Sequence, residues 1–297
     1  MKTEMKAGRI STLRPLRALH ALLARLPLPL WLGGALTALA GLAALLSLLW
    51  LPWPIDEVHL AARLQAPGAQ HWLGTDAYGR DVAALLLAGA RASLAAAALA
   101  VGWALAVGVA LGLLAAGARG ALEQALMRLA DFGFAFPAIL TAIMLAAVWG
   151  PGLWVVVAAI GLYNVPAFTR VAHTAASGIW AREYTRAARA LGLGAAAITW
   201  RHVLPNIAAP LTVQASTRLA VALLAEAALS YLGLGAQPPT PSWGRMLAEA
   251  QSLMFEAPLL AVWPGLAIAL TVLGLNLLGD GLRDALDVRL TRRRPAA

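Results

Sequence analysis

The chain has 297 residues, 61% of them hydrophobic and only 12% charged, with a net charge of +9 and no cysteine. Average soluble chains are roughly one quarter charged, and a single soluble core of this size could not hide so much apolar surface. Composition therefore excludes an ordinary soluble domain, disulfides, thiolate metal sites and a cysteine nucleophile. The long apolar runs lack the alternation of barrel strands, so the chain reads as an all-α, polytopic membrane protein with about six transmembrane helices.

Residues 1–28 carry Lys2, Lys6, Arg9, Arg14, Arg17 and Arg25 against the single acid Glu4. They read as a basic cytoplasmic arm, partly an amphipathic helix on an anionic inner leaflet. Leu22 to Leu30 is too interrupted by Arg25 and prolines to be a secretory leader. Leu30 to Leu51 is the first predicted span, with Trp31, Trp50 and Trp53 at its ends, where aromatic rings prefer the headgroup zone. It runs from inside to outside, and Pro52 to about Arg91 is a mixed polar segment placed outside. Residues 29–91 thus form one unit and 92–282 a transmembrane core.

Within that core the second span is expected over Ser93 to Ala116, rich in small residues that favour close helix packing. Gly117 to Asp131 reads as a short inner loop. The third span is Phe132 to Trp149, followed by the tight turn Gly150-Pro151-Gly152. The fourth is Leu153 to about Phe168, interrupted by Asn164 and Pro166. Ile207 to about Leu234 is the fifth, Gly235 to Ala257 a second outer segment, and Pro258 to Leu278 the sixth. Residues 283–297 form a basic tail with Arg283, Arg289, Arg292, Arg293 and Arg294, so both termini fall inside with most of the positive charge.

Between the fourth and fifth spans lies a polar helix, Arg182 to Gly194, running on to Asn206. Arg182, Arg186 and Arg189 share one face, and Ala187, Leu191 and Gly194 form a second. Glu183 precedes Arg186 by three residues, a spacing that supports a helix by a few tenths of a kcal/mol. Gly192 and Gly194 weaken the end, and Pro205 closes the segment. Two readings stand side by side: a knob presented to another protein, or a surface helix that keeps positive charge on one side of the membrane.

The chain contains no G-x-x-x-x-G-K-[ST] and no H-E-x-x-H, and both lysines lie in the first six residues. His20, His59, His71, His173 and His202 are scattered without ligand spacing, and no hydrolase constellation is visible. The expectation is a protein that is not an enzyme and holds no cofactor or metal. Arg218 and Glu226 lie eight residues apart on the fifth segment, close to one helical face. A lone arginine at mid-helix costs roughly 2.5–3.5 kcal/mol on insertion scales, so such a group should face a polar interior or a partner, unless it snorkels to the inner surface. Asn164, Gln214 and Asn276 either line the same cavity or make helix–helix hydrogen bonds.

Several blocks in order resemble one family. They are His71-Trp72-Leu73-Gly74-Thr75-Asp76 with Gly79-Arg80-Asp81, Arg128 to Asp131 with Phe136-Pro137, Glu183-Tyr184, Ala187 to Gly192, and Arg201-His202-Val203-Leu204-Pro205-Asn206. Glu226-Ala227, Leu232-Gly233-Leu234-Gly235, Gln237 to Gly244 and Asn276 to Asp287 complete the set. The chain is similar to the inner-membrane permease subunits of binding-protein-dependent ABC importers, in particular the C-type permease of dipeptide, oligopeptide and nickel systems. The resemblance implies that the 182–206 loop is a cytoplasmic coupling helix contacting separate ATPase subunits, through Glu183, Arg186, Ala187, Ala188, Gly192, Leu204 and Pro205. Arg186 stands where the family has glutamate, a charge reversal that leaves Glu183, one turn earlier, as the acid, and Val288 stands where the family usually has proline. The resemblance further implies a homologous permease partner, two cytoplasmic ATPase chains, an extracytoplasmic substrate-binding protein and the bacterial inner membrane, with no nucleic acid. Glu226, Arg218, Asn164 and Asn276 are the expected pathway residues. Alternatives are the same fold importing nickel, glutathione or another small solute, and a self-sufficient secondary transporter, which predicts inverted repeats that the chain does not show.

Overall fold

Every fourth residue of one helix is small: Ala96, Ala100, Ala104, Gly108, Gly112 and Ala116 are all buried. This stripe lets two backbones approach, and it sets the architecture. In the computed structural model, which describes residues 27–291 apart from residue 119 (and no side chains beyond 286), the stripe lies on α2, Val82–Ala118. Its partner is α5, Leu153–Trp180. A Cβ on Gly108 would come within 2.6 Å of the Phe168 Cβ, and one on Gly112 within 2.6 Å of the Thr169 carbonyl. Neither position can carry a side chain without parting the two helices.

The remaining elements, in chain order, are α1 (Leu28–Leu49), α3 (Ala121–Gly133), α4 (Ala138–Trp149) and α6 (Glu183–Ala190). Then come the single turn α7 (Ala195–Ile198), a π-helical turn over Thr199–Val203, α8 (Leu204–Tyr231), α9 (Trp243–Ala250) and α10 (Leu259–Thr291). Among the described residues there is no strand beyond the isolated bridge Thr75–Asp81. Among the described residues five helices are long and apolar enough to cross a membrane, or six if the bent pair α3–α4 counts as one. The architecture is therefore all-α, with α1 packed on α10 at the periphery and Leu39, Leu42, Leu45 and Leu49 left exposed for lipid.

Two apolar cores stack along the bundle. One joins α2, α5 and α8 with Trp243 and Met246 of α9. The other lies at the opposite end, where Ala172, Ala176, Ile179 and Trp180 of α5 meet Ala188, Ile198, Val203 and Ile207.

Several boundaries differ from the sequence reading. The second span is much longer than Ser93 to Ala116, because Asp81 caps α2 eleven residues earlier than the polar composition suggests; its Oδ1 accepts the Ala84 N–H at 2.7 Å. The expected boundary between residues 91 and 92 thus falls inside a helix. The third span is broken: α3 and α4 meet at 82° around Phe134–Pro137, and the inner loop expected over Gly117 to Asp131 is mostly helical. Pro137 cannot continue α3 and instead starts α4. The fourth span is not interrupted, since α5 runs straight through Asn164 and Pro166 to Trp180. Pro205 does not close its segment; it occupies the first turn of α8, where a missing N–H is harmless, and helical backbone runs from Ala195 to Tyr231. The sixth helix continues past Leu278 to Thr291. The basic arm over residues 1–26 and the arginines at 292–294 lie outside the described residues.

Candidate functional site

The helix α6 is short and strongly two-faced. Thr185 and Ala188 turn inward; the Thr185 hydroxyl donates to the Ile179 carbonyl at 2.9 Å, tying α6 to the end of α5. Gly192 adopts φ +86°, and the Leu193 N–H reaches back to the Ala188 carbonyl at 3.2 Å, which closes the helix in a left-handed cap. Arg182, Glu183, Arg186, Ala187 and Gly192 are exposed, and so is Leu191 at 82%. The Arg189 guanidinium lies 5.1 Å from the centre of the Trp180 ring. Among the described residues Arg182 and Arg186 have no ion-pair partner. A cavity of about 410 Å³ opens here, lined by Trp180, Thr185, Arg186, Arg189 and Ala190.

The sequence places Ala187 and Ala188 together, but the structure separates them. Ala188 is only 8% exposed and belongs to the chain's own core, whereas Ala187 faces outward. Leu204 is half-buried and Pro205 exposed, both at the junction where the π-helical turn enters α8. Through Thr199–Val203 and the anchors Ile198, Val203 and Ile207, the loop is continuous with one spanning helix and bonded to another. α6 is thus tied to both α5 and α8.

The second candidate region is a groove of about 310 Å³ where α4, α5 and α8 meet beside the α3–α4 bend. Asn164, 1% exposed, lines it; its amide donates to the Ile160 carbonyl at 2.7 Å, and its Oδ1 accepts from Arg218 Nη1 at 3.5 Å. Asn164 and Arg218 are therefore brought together. Glu226 and Asn276 are not. Glu226 is fully buried between helices, with Oε1 accepting the Ser230 hydroxyl at 2.7 Å, and Asn276 is exposed on α10. Gln214 is half-buried on α8 and joins no hydrogen bond among the described residues. Sequence reasoning missed Pro137 and Tyr163, which also line the groove; the Phe136-Pro137 pair was the available signal, marking the break that opens it.

The motif residues of the 71–81 block and of α9 build the opposite end. Asp76 accepts the backbone N–H groups of Tyr78 and Arg80 and the Arg80 Nε at 2.7 Å. Arg80 then bridges to Glu249 on α9, and His71 Nδ1 lies 2.9 Å from Asp81 Oδ2. Trp243 inserts its indole against α2, donating to the Leu86 carbonyl at 3.0 Å. These residues hold the loop, α2 and α9 as one cap.

An all-helical bundle with a broken third span and an exposed arginine helix between two spanning helices defines a polytopic membrane protein, and comparison with known proteins gives its class as a membrane permease. Residues 108–292 match the family described as binding-protein-dependent transport system inner membrane component. The chain is 45% identical over 226 residues to the glutathione transport system permease protein GsiD of Pectobacterium atrosepticum, covering 76% of this chain and 75% of that one. It is 42% identical over 234 residues to the dipeptide transport system permease protein DppC of Alkalihalophilus pseudofirmus, covering 79% and 77%. A solved inward-facing structure of the MetNI methionine ABC transporter matches in fold, with a TM-score of 0.56 at 19% identity, over 69% of this chain and 96% of that one. The chain belongs to the family of inner-membrane permease components of binding-protein-dependent ABC importers.

Proposed function

We propose that this chain is one of two permease subunits of an ATP-driven importer of small peptides, coupled through α6 to separate ATPase chains. The observation that carries the reading is the position of α6: its inner face is bonded to α5 and shares a core with the start of α8, while three arginines face outward without a partner carboxylate among the described residues. A rigid exposed helix tied to two spanning helices is suited to pass motion from a nucleotide-driven neighbour to the groove between them. ATP hydrolysis belongs to the partner, since this chain has no phosphate-binding loop. The α6 end faces the cytoplasm, where positive charge collects, and the cap built from residues 52–81 and α9 receives a substrate-loaded binding protein.

Di- and oligopeptides and the tripeptide glutathione are the proposed cargo, because relatives named for glutathione and for dipeptide transport match at 45% and 42% identity. Reconstitution in vesicles with the second permease, both ATPases and the binding protein should give ATP-dependent uptake of a labelled dipeptide or glutathione. This chain alone should give none. Uptake by the isolated chain without nucleotide would overturn the reading.

A further inference from the structure

Arg218 is an intramembrane cation with no ion-pair partner among the described residues. It sits in the middle of α8, roughly 20 Å from each end at 1.5 Å per residue, a depth from which snorkelling to either surface is remote. None of the ion pairs among the described residues includes it. The acid on its own helix, Glu226, stands two turns away and is engaged by Ser230. Among the described residues the hydrogen-bond partner of Arg218 is Asn164, whose oxygen accepts a single long bond of 3.5 Å. A guanidinium has five N–H donors in a fixed fork, so most of that capacity is free.

Arg218 does not itself line an open space but reaches one through Asn164. Asn164 lines the groove of about 310 Å³, and so do Val221, Ala222 and Ala225, which lie three, four and seven residues beyond Arg218 on α8 and share its face. The wall is otherwise apolar, formed by Pro137, Ala138, Ile139 and Ile160 with Tyr163. A single unneutralised fork at the edge of a small apolar groove selects for one planar anionic group.

The geometry points to Arg218 as the site that takes the free carboxylate of the solute midway through the membrane, with Asn164 as the residue that positions it. The transported class is then small solutes bearing a carboxylate, which deepens the peptide-import reading and rests on it. During passage the carboxylate pairs with the guanidinium, and the apolar wall accepts side chains without reading them. Transient pairing at one site suits a pathway, because a second fixed cation would hold the solute too tightly to release it.

The test uses the complete transporter in vesicles, with a labelled dipeptide and its binding protein. In R218Q, uptake per ATP hydrolysed should fall at least tenfold, while copurification of all subunits and the stimulation of ATPase activity by loaded binding protein stay at wild-type level. R218K, which keeps the charge but not the fork, should fall between. An unchanged ratio in R218Q would overturn the inference, and so would loss of subunit assembly, which would make Arg218 a packing residue paired with the other permease. Equal losses in R218K and R218Q would do the same. None of these outcomes touches the wider reading, which fails if the wild-type complex shows no ATP-dependent uptake or if the isolated chain takes up solute without nucleotide.

Discussion

Glu249 accepts the Arg80 Nη2 at 3.0 Å, joining two positions 169 residues apart in the chain. Its other oxygen accepts Arg245 Nε at 2.8 Å, so one carboxylate ties the segment before α2 to the amphipathic helix α9. The pair is partly exposed, at 16% for Arg80 and 33% for Glu249, and solvent screening keeps its contribution near that of other semi-exposed pairs, about 1 kcal/mol. Glu249→Gln should therefore lower the melting temperature of the complex only slightly. Its larger effect should be a weaker response of ATPase activity to loaded binding protein, because the cap surface loses its fixed shape. An unchanged titration with binding protein would remove this end from the docking role.

Gly112→Val should be far more damaging than its size suggests. Its new side chain would meet the Thr169 carbonyl and the Ala172 Cβ, where the α5 backbone cannot retreat. Overpacking of this kind costs about 1–3 kcal/mol or more, and protease resistance of the purified chain should drop accordingly. Gly102→Ala on the same helix faces open space and supplies the control; it should be neutral or stabilising by up to about 1 kcal/mol.

Replacing Arg186 with glutamate should disturb the partner and not the chain. The side chain is exposed and without an ion pair among the described residues, so expression and melting of the isolated permease should be unaffected. Copurification of the ATPase should fall, and a compensating acid-to-lysine change in the ATPase groove should restore it. Ala188→Glu should behave in the opposite manner, destabilising the permease itself, since Ala188 packs against Ala172, Ile198 and Val203. If both variants gave the same pattern, α6 would have no distinct docking face.

Glu226→Gln should leave uptake near wild type. Glutamine keeps an acceptor for the Ser230 hydroxyl, and among the described residues Oε2 makes no hydrogen bond that the change would break. The change in stability should stay within about 1 kcal/mol. A large loss of uptake with assembly intact would return Glu226 to the translocation pathway.

Much of the architecture was legible in the chain because lipid imposes simple rules. Spans must be long, apolar and internally hydrogen-bonded, so the sequence reading comes within a few residues at the first helix and at α8. The arginine helix was legible for the same reason, as a polar interruption with its own periodicity. Errors arose where a local signal was read without its neighbour. Asn164 and Pro166 look like breaks, but α5 carries them because α2 packs beside it and Asn164 bonds its own preceding turn at Ile160. Phe132 to Trp149 looks like one span, whereas Pro137 bends it into two.

The amino-acid sequence by itself determined that this is a helical membrane protein, because composition and the length of the apolar runs are properties of the chain alone. Which side chains meet was decided only in three dimensions. Periodicity puts Arg218 and Glu226 near one face and Ala187 next to Ala188, yet packing sends Arg218 to Asn164, buries Glu226 with Ser230, and turns Ala188 inward while leaving Ala187 free. Helical spacing fixes directions around one axis. The placement of the neighbouring helices, set by the small-residue stripe of α2 and the bend at Pro137, decides what lies in each direction.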